Sequence, residues 1–354
     1  MRRIAAIFVT LALVASACGN GASTTTEQAA GQTTTTQPEE TTTTAAPEEP
    51  SELPELTINV GHSGAPDGFA DVASNKFKEL VEERSGGRIT VEVFPSGQLG
   101  GERELVEGAQ IGSVDMAVVL AGILESFQPE FAVLNLPFLF EDRDHVFATL
   151  DGEVGRELLD LLDGQGLKGY AFGEFGFRSL MSTKRIETPE DTVGLKFRVP
   201  ESELYIALIN SFGATAVPIP GPEIFTSLQN GVVDGTEAPI FAAVTQKYYE
   251  TPLNHLSLTE HAYAALLMVG SQDLWELLGP EGQPLVQQAA LDAVAFQRQQ
   301  SIADDEGYLA ELVELGWEVN EVDREAFRAA SASLYDDVPD LADWIDRIRA
   351  AAGQ

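Results

Sequence analysis

From Leu56 onward the apolar residues of this 354-residue chain switch repeatedly between two periods. The stretch "LTINVG" has the short, β-branched character of a buried strand, and "FADVASNKFKELVEERSGG" spaces its apolar side chains as an amphipathic helix that Gly86-Gly87 closes. The strand "RITVEVFP", a helix around Glu102 to Gln110 and the strand "VDMAVVLAG" follow. This alternation predicts a largely parallel sheet covered on both faces, an α/β fold.

A second series starts near Gly169. "KGYAFGEFGFRSLMSTK", "LKFRVP" and "ATAVPIP" predict strands, while "SELYIALINSFG" and "GPEIFTSLQNG" predict helices, the latter with Pro222 in its first turn. The aliphatic run "SLTEHAYAALLMVG" then offers a route back to the first unit. From Pro284 to about Gly307 no Gly or Pro interrupts a helical pattern, and the periodicity resumes through "YLAELVELG". A helix of that length, roughly 40 Å at ~1.5 Å per residue, is longer than a small domain is wide and should touch both units. Two shorter helices are expected in "REAFRAASASLYDDVPDLADWIDRIRAA".

The N-terminal region follows other rules. A basic start (Arg2, Arg3), the apolar run from Ile4 to Val14 and the small residues Ala15-Ser16-Ala17 before Cys18 predict a secretory signal over residues 1–18. Two readings of Cys18 stand: a lipobox cysteine that is lipidated and anchors the chain to the membrane, or a residue that happens to follow an Ala-x-Ala cleavage site. Residues 19–54 are dominated by Thr, Glu, Gln, Ala and Pro, a composition that cannot bury enough apolar surface to order itself, so a flexible tether is expected. Cys18 is the only cysteine, which leaves no internal disulfide.

Charge narrows the partners. The chain carries 21 Lys and Arg against 56 Asp and Glu, a formal net charge of -35, which argues against nucleic acid as a partner. The sequence contains no phosphate loop, no dinucleotide-binding turn, no HExxH, no paired CxxC and no nucleophile elbow, so neither a cofactor, a resident metal nor an enzymatic role is expected. His62, just past the first strand, stands where ligands of open α/β sheets gather; the competing reading is a core histidine. "EDRDH" at 141–145 reads as a cation chelator or, with better physical reason, as an acidic helix start.

Against that acidic background Arg178 in "FGFRSL" and Arg198 in "GLKFRVP" stand out, each embedded in an aromatic, strand-like segment. A guanidinium offers a rigid fork of donors that matches a carboxylate and keeps its charge when buried. The alternative for each is a guanidinium packed over a ring or paired with one of many carboxylates.

The ordered set "KFKELVEERSGGRITVEVFPSGQLG", "VDMAVV", "FAVLNLPFLF", "TPEDTVGLKFRVP", "SFGATAVPIP", "SLQNGVVDGTEAP" and "QKYYE" resembles the DctP-type solute-binding proteins of TRAP transporters. The resemblance implies a two-domain, periplasmic-binding-protein-like fold of type II character, with crossing strands and a long helix spanning both domains. It divides the chain into domain I, 55–175 plus 264–303, and domain II, 176–263 plus 304–354. It also implies a monomer that captures a small organic acid between its domains and delivers it to the TRAP permease. Arg198 occupies the carboxylate-clamping position and Arg178 a second arginine position found in sugar-acid binders. The family's DGxEN motif reads "DGTEAP" here, so Ala238 replaces an Asn donor beside Glu237, an acid that contacts ligand or is structural. A binding protein serving a membrane sensor and a secreted hydrolase using paired carboxylates are the competing functions.

Overall fold

Alternate residues of β3 (Met116–Leu120) separate into two cores: Met116, Val118 and Leu120 pack on one face of a sheet, Ala117 and Val119 on the other. That split is the period-2 signature of a strand buried on both sides, and it recurs where Leu180 and Met181 part into two further cores. The computed structural model describes residues 53–352. The predicted signal, Cys18 and the tether up to residue 52 lie outside the described residues.

The nine strands are β1 (Leu56–His62), β2 (Ile89–Phe94), β3, β4 (Leu167–Ser182), β5 (Lys196–Val199), β6 (Thr215–Pro218), β7 (Gly235–Ala238), β8 (His255–Ser271) and β9 (Glu318–Asn320). They form one sheet in the order β2-β1-β3-β8-β4-β7-β5-β6, with β9 on β8. Pairing is parallel among β1, β2 and β3 and among β5, β6 and β7. It is antiparallel wherever β4 or β8 meets its neighbours β3 and β7, and between β4 and β8 themselves. The expected parallel pairing thus holds inside each half and gives way to antiparallel pairing at the join, because the two long strands run through both halves and return in opposite directions.

Helices cover both faces. They are α1 (Phe69–Arg84), α2 (Glu102–Gln110), α3 (Arg143–Leu150), α4 (Glu153–Leu161), α5 (Glu203–Ser211), α6 (Ile224–Gln229), α7 (Ile240–Thr245), α8 (Gln272–Glu314), α9 (Arg324–Ser331) and α10 (Ala342–Ala351). Asp142 caps α3 by accepting from the His145 amide, and both nitrogens of the His145 ring are occupied, by Glu141 N–H and the Ile348 carbonyl. "EDRDH" is therefore an acidic helix start, and no metal-holding cluster occurs among the described residues.

Helix α8 is broken once, at Gly279 (φ 63°), and restarts at Pro280, four residues before the Pro284 start read from sequence. Its Val286, Ala289, Ala290 and Ala293 pack in the first half while Leu312 packs in the second, so it braces both. The last helix departs from the expected grouping of 304–354: Ile345 and Ile348 of α10 pack in a first-half core, and Arg347 pairs with Glu157 of α4 at 2.7 Å. Its apolar stripe finds α3 and α4 rather than the strands that precede it in sequence.

The β4–β8 ladder is irregular where the halves join. Register shifts fall between Glu174 and Gly176 and between Arg178 and Leu180. Gly176 sits at φ 116° and Glu260 at φ 41°. Gln297 of α8 clamps the first bulge, accepting from Glu174 N and donating to Glu174 O, both at 2.9 Å. These bulges turn the Arg178 segment toward the space between the halves.

Candidate functional site

Three neighbouring strands of the second half and the join carry the predicted site. Arg178 lies on β4, Glu237 and Ala238 on β7 and Arg198 on β5, and β7 runs between the other two. Arg178, Arg198 and Ala238 line one cavity of about 50 Å³, together with Ser63, Glu102, Leu120, Phe175, Ile224, Gln246, Tyr248 and Leu266. Ser63, Glu102 and Leu120 stand at the ends of β1 and β3 and the start of α2, the crevice beyond the carboxyl ends of parallel strands. The enclosed space corresponds to about four water molecules.

The two arginines are built differently. Arg178 is 1 % exposed, and its Nε and Nη2 both grip the Glu237 carboxylate, with Nη2 also donating to the Glu237 carbonyl at 2.7 Å. Its guanidinium lies over the Tyr205 ring at 4.9 Å, and Nη1 is buried without a protein partner. Burial pulls the Arg178 pKa down, yet the adjacent Glu237 more than offsets this and holds it above its ordinary value. Burial likewise pushes the Glu237 carboxyl up, but Arg178 and the nearby His261 hold it below the carboxylate range.

Arg198 is 5 % exposed and has no ion pair among the described residues; its one protein hydrogen bond runs from Nε to the Ile219 carbonyl at 2.8 Å. Burial pushes its pKa below the usual guanidinium value, with only partial compensation from Tyr248, Glu237 and Glu102. Its two terminal nitrogens therefore stand toward the cavity as an uncommitted, positively charged fork. Lys196, the other cation of that strand, is exposed.

Glu237 is fully buried, held by Arg178 and 3.5 Å from His261 Nε2, and does not line the cavity. His62 does not line it either. The ring is fully buried, with Nε2 3.2 Å from Asp71 and Nδ1 unpartnered, beneath the Ser63-Gly64 turn that does. The histidine is hidden because it is the last residue of a strand buried on both faces, and the ligand-facing crevice begins one residue later.

Sequence reading did not single out Glu102, Tyr248, Gln246 or Ser63. Glu102 opens α2 directly after Gly100-Gly101, and Leu120 N–H donates to its Oε1 at 3.1 Å. Burial pushes the Glu102 carboxyl up, partly countered by Leu120 N–H and by Arg198 and Arg178. Tyr248 donates to Gln246 Oε1 at 2.9 Å, and burial drives its phenol up to about 12. The signal for Tyr248 and Gln246 was present in "QKYYE", although that stretch assigns no role to either. For Glu102 the signal was an acid at a helix start beside a β-strand end.

Both halves close over this space. A side chain added at Gly97 would come within 2.5 Å of Pro222, and one at Gly221 within 3.1 Å of Ser63 Oγ. Asn135 Nδ2 donates to Ser202 Oγ at 3.3 Å. Four surface clefts are larger, about 930, 510, 420 and 410 Å³, but none is lined by a buried arginine; Arg324 and Arg328, in the 930 Å³ cleft, pair with Glu260 and Glu325. Among the described residues, Arg198 is the buried arginine that lacks an ion pair, and it lines the small cavity.

A sheet shared by two halves, closed over a small cavity with a buried cation that has no ion pair, defines an anion-binding receptor of the two-lobed α/β class. Residues 60–340 match the family model described as bacterial extracellular solute-binding protein, family 7, DctP. The chain is 33 % identical over 304 residues to the 2,3-diketo-L-gulonate-binding periplasmic protein YiaO of Escherichia coli, covering 85 % of this chain and 92 % of that protein. Among solved structures, a TRAP periplasmic solute-binding protein of Polaromonas sp. JS666 bound to D-erythronate superposes with a TM-score of 0.82 at 34 % identity, covering 85 % of this chain and all of the other. One from Xanthobacter autotrophicus Py2 with β-D-galacturonate does so with a TM-score of 0.80 at 33 % identity, over 83 % and 99 % of the two chains. The chain belongs to the DctP family of solute-binding proteins, which places its work outside the cytoplasm.

Proposed function

We propose that this protein is the extracytoplasmic receptor of a TRAP-type transporter, and that Arg198 clamps the carboxylate of a small organic acid in the cavity between the halves. The observation that carries this reading is the Arg198 fork: a buried guanidinium on a cavity wall with no acid of its own. Leaving such a charge unmatched is costly unless a ligand supplies the anion. Arg178 lines the same space, and its Nη1 has no protein partner. Ala238 lines the cavity with a methyl group and offers no side-chain donor, which leaves the carboxylate to the arginines.

In this reading the halves move about the bulged β4–β8 join, with bounds near residues 175, 263 and 303 and with α10 travelling with the first half. Closure shields the acid, and opening at the permease releases it. The same fork would serve a receptor feeding a membrane sensor. Paired-carboxylate hydrolysis is less well supported, because Glu102 is the one acid lining the cavity while Glu237 is committed to Arg178. Cys18, as a lipidated N-terminus, would tether the receptor as a monomer at the membrane face; intact mass of the membrane-extracted chain, showing or lacking diacylglycerol, tests this.

Calorimetry tests the clamp. A charge-assisted hydrogen bond contributes about 1.5–3 kcal/mol, so Arg198→Ala is expected to weaken binding of its acid at least ~10-fold. Arg198→Lys should also bind poorly, since an ammonium lacks the planar pair of donors. Unchanged affinity in both variants would move the anion site elsewhere.

A further inference from the structure

We infer that Glu125 is a positioning residue of this receptor: it reaches from the first half to grip the start of α5 in the second, and so holds the two arginines of the site in place while the halves are closed. The inference rests on the carboxylate clamp and goes beyond it, since Glu125 does not line the cavity.

Glu125 follows β3 in a short 3₁₀ helix, Ala121–Ser126, whose Ala121 and Leu124 pack in a first-half core. Its carboxylate accepts from the Glu203 and Leu204 backbone N–H groups and from the Ser202 hydroxyl. Those amides are the first orphan donors of α5, and Ser202 is its cap, accepting in turn from Tyr205 N–H at 3.2 Å. The helix dipole favours a negative charge at the same place. Asn135 completes the joint, its Nδ2 lying 3.0 Å from Glu125 Oε2 and 3.3 Å from Ser202 Oγ. Gly122 makes room for it, because a Cβ there would fall within 1.9 Å of Asn135 Oδ1.

Packing confirms that this joint crosses between the halves. Leu204, in the first turn of α5, packs in the same first-half core as Leu124, whereas Leu208 and Ile209 pack in a second-half core with Phe197 and Val199 of β5. Helix α5 is therefore seated on the first half by its first turn and on the second by the rest. The helix also supports both arginines: Arg198 stands near the end of β5, whose next turn leads into α5, and Tyr205 of α5 covers the Arg178 guanidinium at 4.9 Å. Parting the halves would hand the α5 donors to water, so the grip of Glu125 belongs to the closed arrangement. Its effect should fall on release of the ligand rather than on capture.

The test uses D-erythronate and D-galacturonate with the full-length chain, calorimetry giving affinity and a chase of labelled acid giving the dissociation rate. Glu125→Ala is expected to release the acid at least ~5-fold faster, with the association rate within about twofold of the parent. Glu125→Gln, which keeps an oxygen for the two amides, should restore part of the loss. In a double-mutant cycle with Ser202→Ala the two losses should be clearly less than additive, since each removes the same contact across the halves. An unchanged dissociation rate in Glu125→Ala overturns the inference even if apo stability falls, because the acid is then only structural. Losses that simply add overturn it as well. Should Glu125→Ala fail to fold, Asn135→Ala decides: about twofold faster release is expected, and release at the parent rate overturns the joint. Binding indifferent to Arg198→Ala, or the failure of both acids to bind, overturns the clamp together with this inference.

Discussion

Arg178 and Arg198 are the same residue on strands separated by only β7, both buried and both lining one cavity, yet their surroundings give them opposite tasks. Arg178 has its countercharge built into the fold: Glu237 grips it twice, His261 stands behind that acid, and Tyr205 covers the guanidinium face. Arg198 has a carbonyl on Nε and nothing of opposite charge bonded to it. A buried cation matched by the chain stabilises the fold, whereas one left unmatched reserves its interaction energy for a ligand. Binding function here is written in a missing partner rather than in the arginine itself.

The largest effect should come from breaking the matched pair. Glu237→Gln leaves the Arg178 charge buried and uncompensated, a change that costs about 3–5 kcal/mol of stability. Chemical denaturation of the variant should show that loss with the slope unchanged, and a loss below ~1 kcal/mol would mean that water reaches the pair. Replacing both residues by apolar ones of similar volume should recover most of the stability, since the pair's value lies in mutual compensation.

Arg198→Ala should behave in the reverse manner. Binding falls at least ~10-fold while the unliganded protein keeps or gains stability, because a buried unpaired charge has been removed. If the apo protein instead loses as much stability as Glu237→Gln, then Arg198 is structural and the comparison collapses.

This contrast marks how far the sequence could be read. The alternation of strands and helices, the long α8 and the placement of each arginine on a strand were visible as patterns, because period and strand-flanking aromatics are local features. The exchange of partners was not. Nothing near Glu237 in "DGTEAP" says that its carboxylate turns toward β4 rather than into the cavity, and only the β4–β7 register, with Leu180 opposite Glu237, settles it. Glu102 was illegible for a similar reason: its neighbours across the cavity come from segments as far along the chain as Tyr248 and Leu266. The position of α10 was missed because its apolar stripe fits either half, and packing on α3 and α4 chooses between them.

Acidity sharpens the comparison through the carboxylates. Glu237, held below its ordinary value near 4.5, contributes stability that is present above that pH and is lost as pH falls through its depressed folded pKa. Glu102, pushed above the same ordinary value, contributes stability present below it and lost as pH rises through its raised folded pKa. Relative to the unaltered apo protein, Glu102→Gln should therefore gain stability toward neutral pH, with the advantage vanishing near pH 4. Thermal midpoints taken across that range check the sign. A Glu102→Gln advantage that grows on acidification would mean that Glu102 is ionised and satisfied in the empty site.

The smallest effect concerns closure, the step that turns an unmatched cation into a tight site. Gly221 is not in a left-handed conformation, and a side chain there meets Ser63 across the mouth at 3.1–3.3 Å, tighter than ordinary contact. Gly221→Val thus penalises the closed arrangement by about 1 kcal/mol and leaves the separated halves untouched, which amounts to roughly fivefold weaker binding. The loss should appear in the dissociation rate, since a less stable closed state opens more often, while the apo thermal midpoint stays in place. Ser63→Gly in the same chain should restore affinity in part by vacating the space. Were Gly221→Val to bind as tightly as the parent, the contact between the halves would contribute nothing to retention, and the Arg198 fork would hold its acid without help from the mouth.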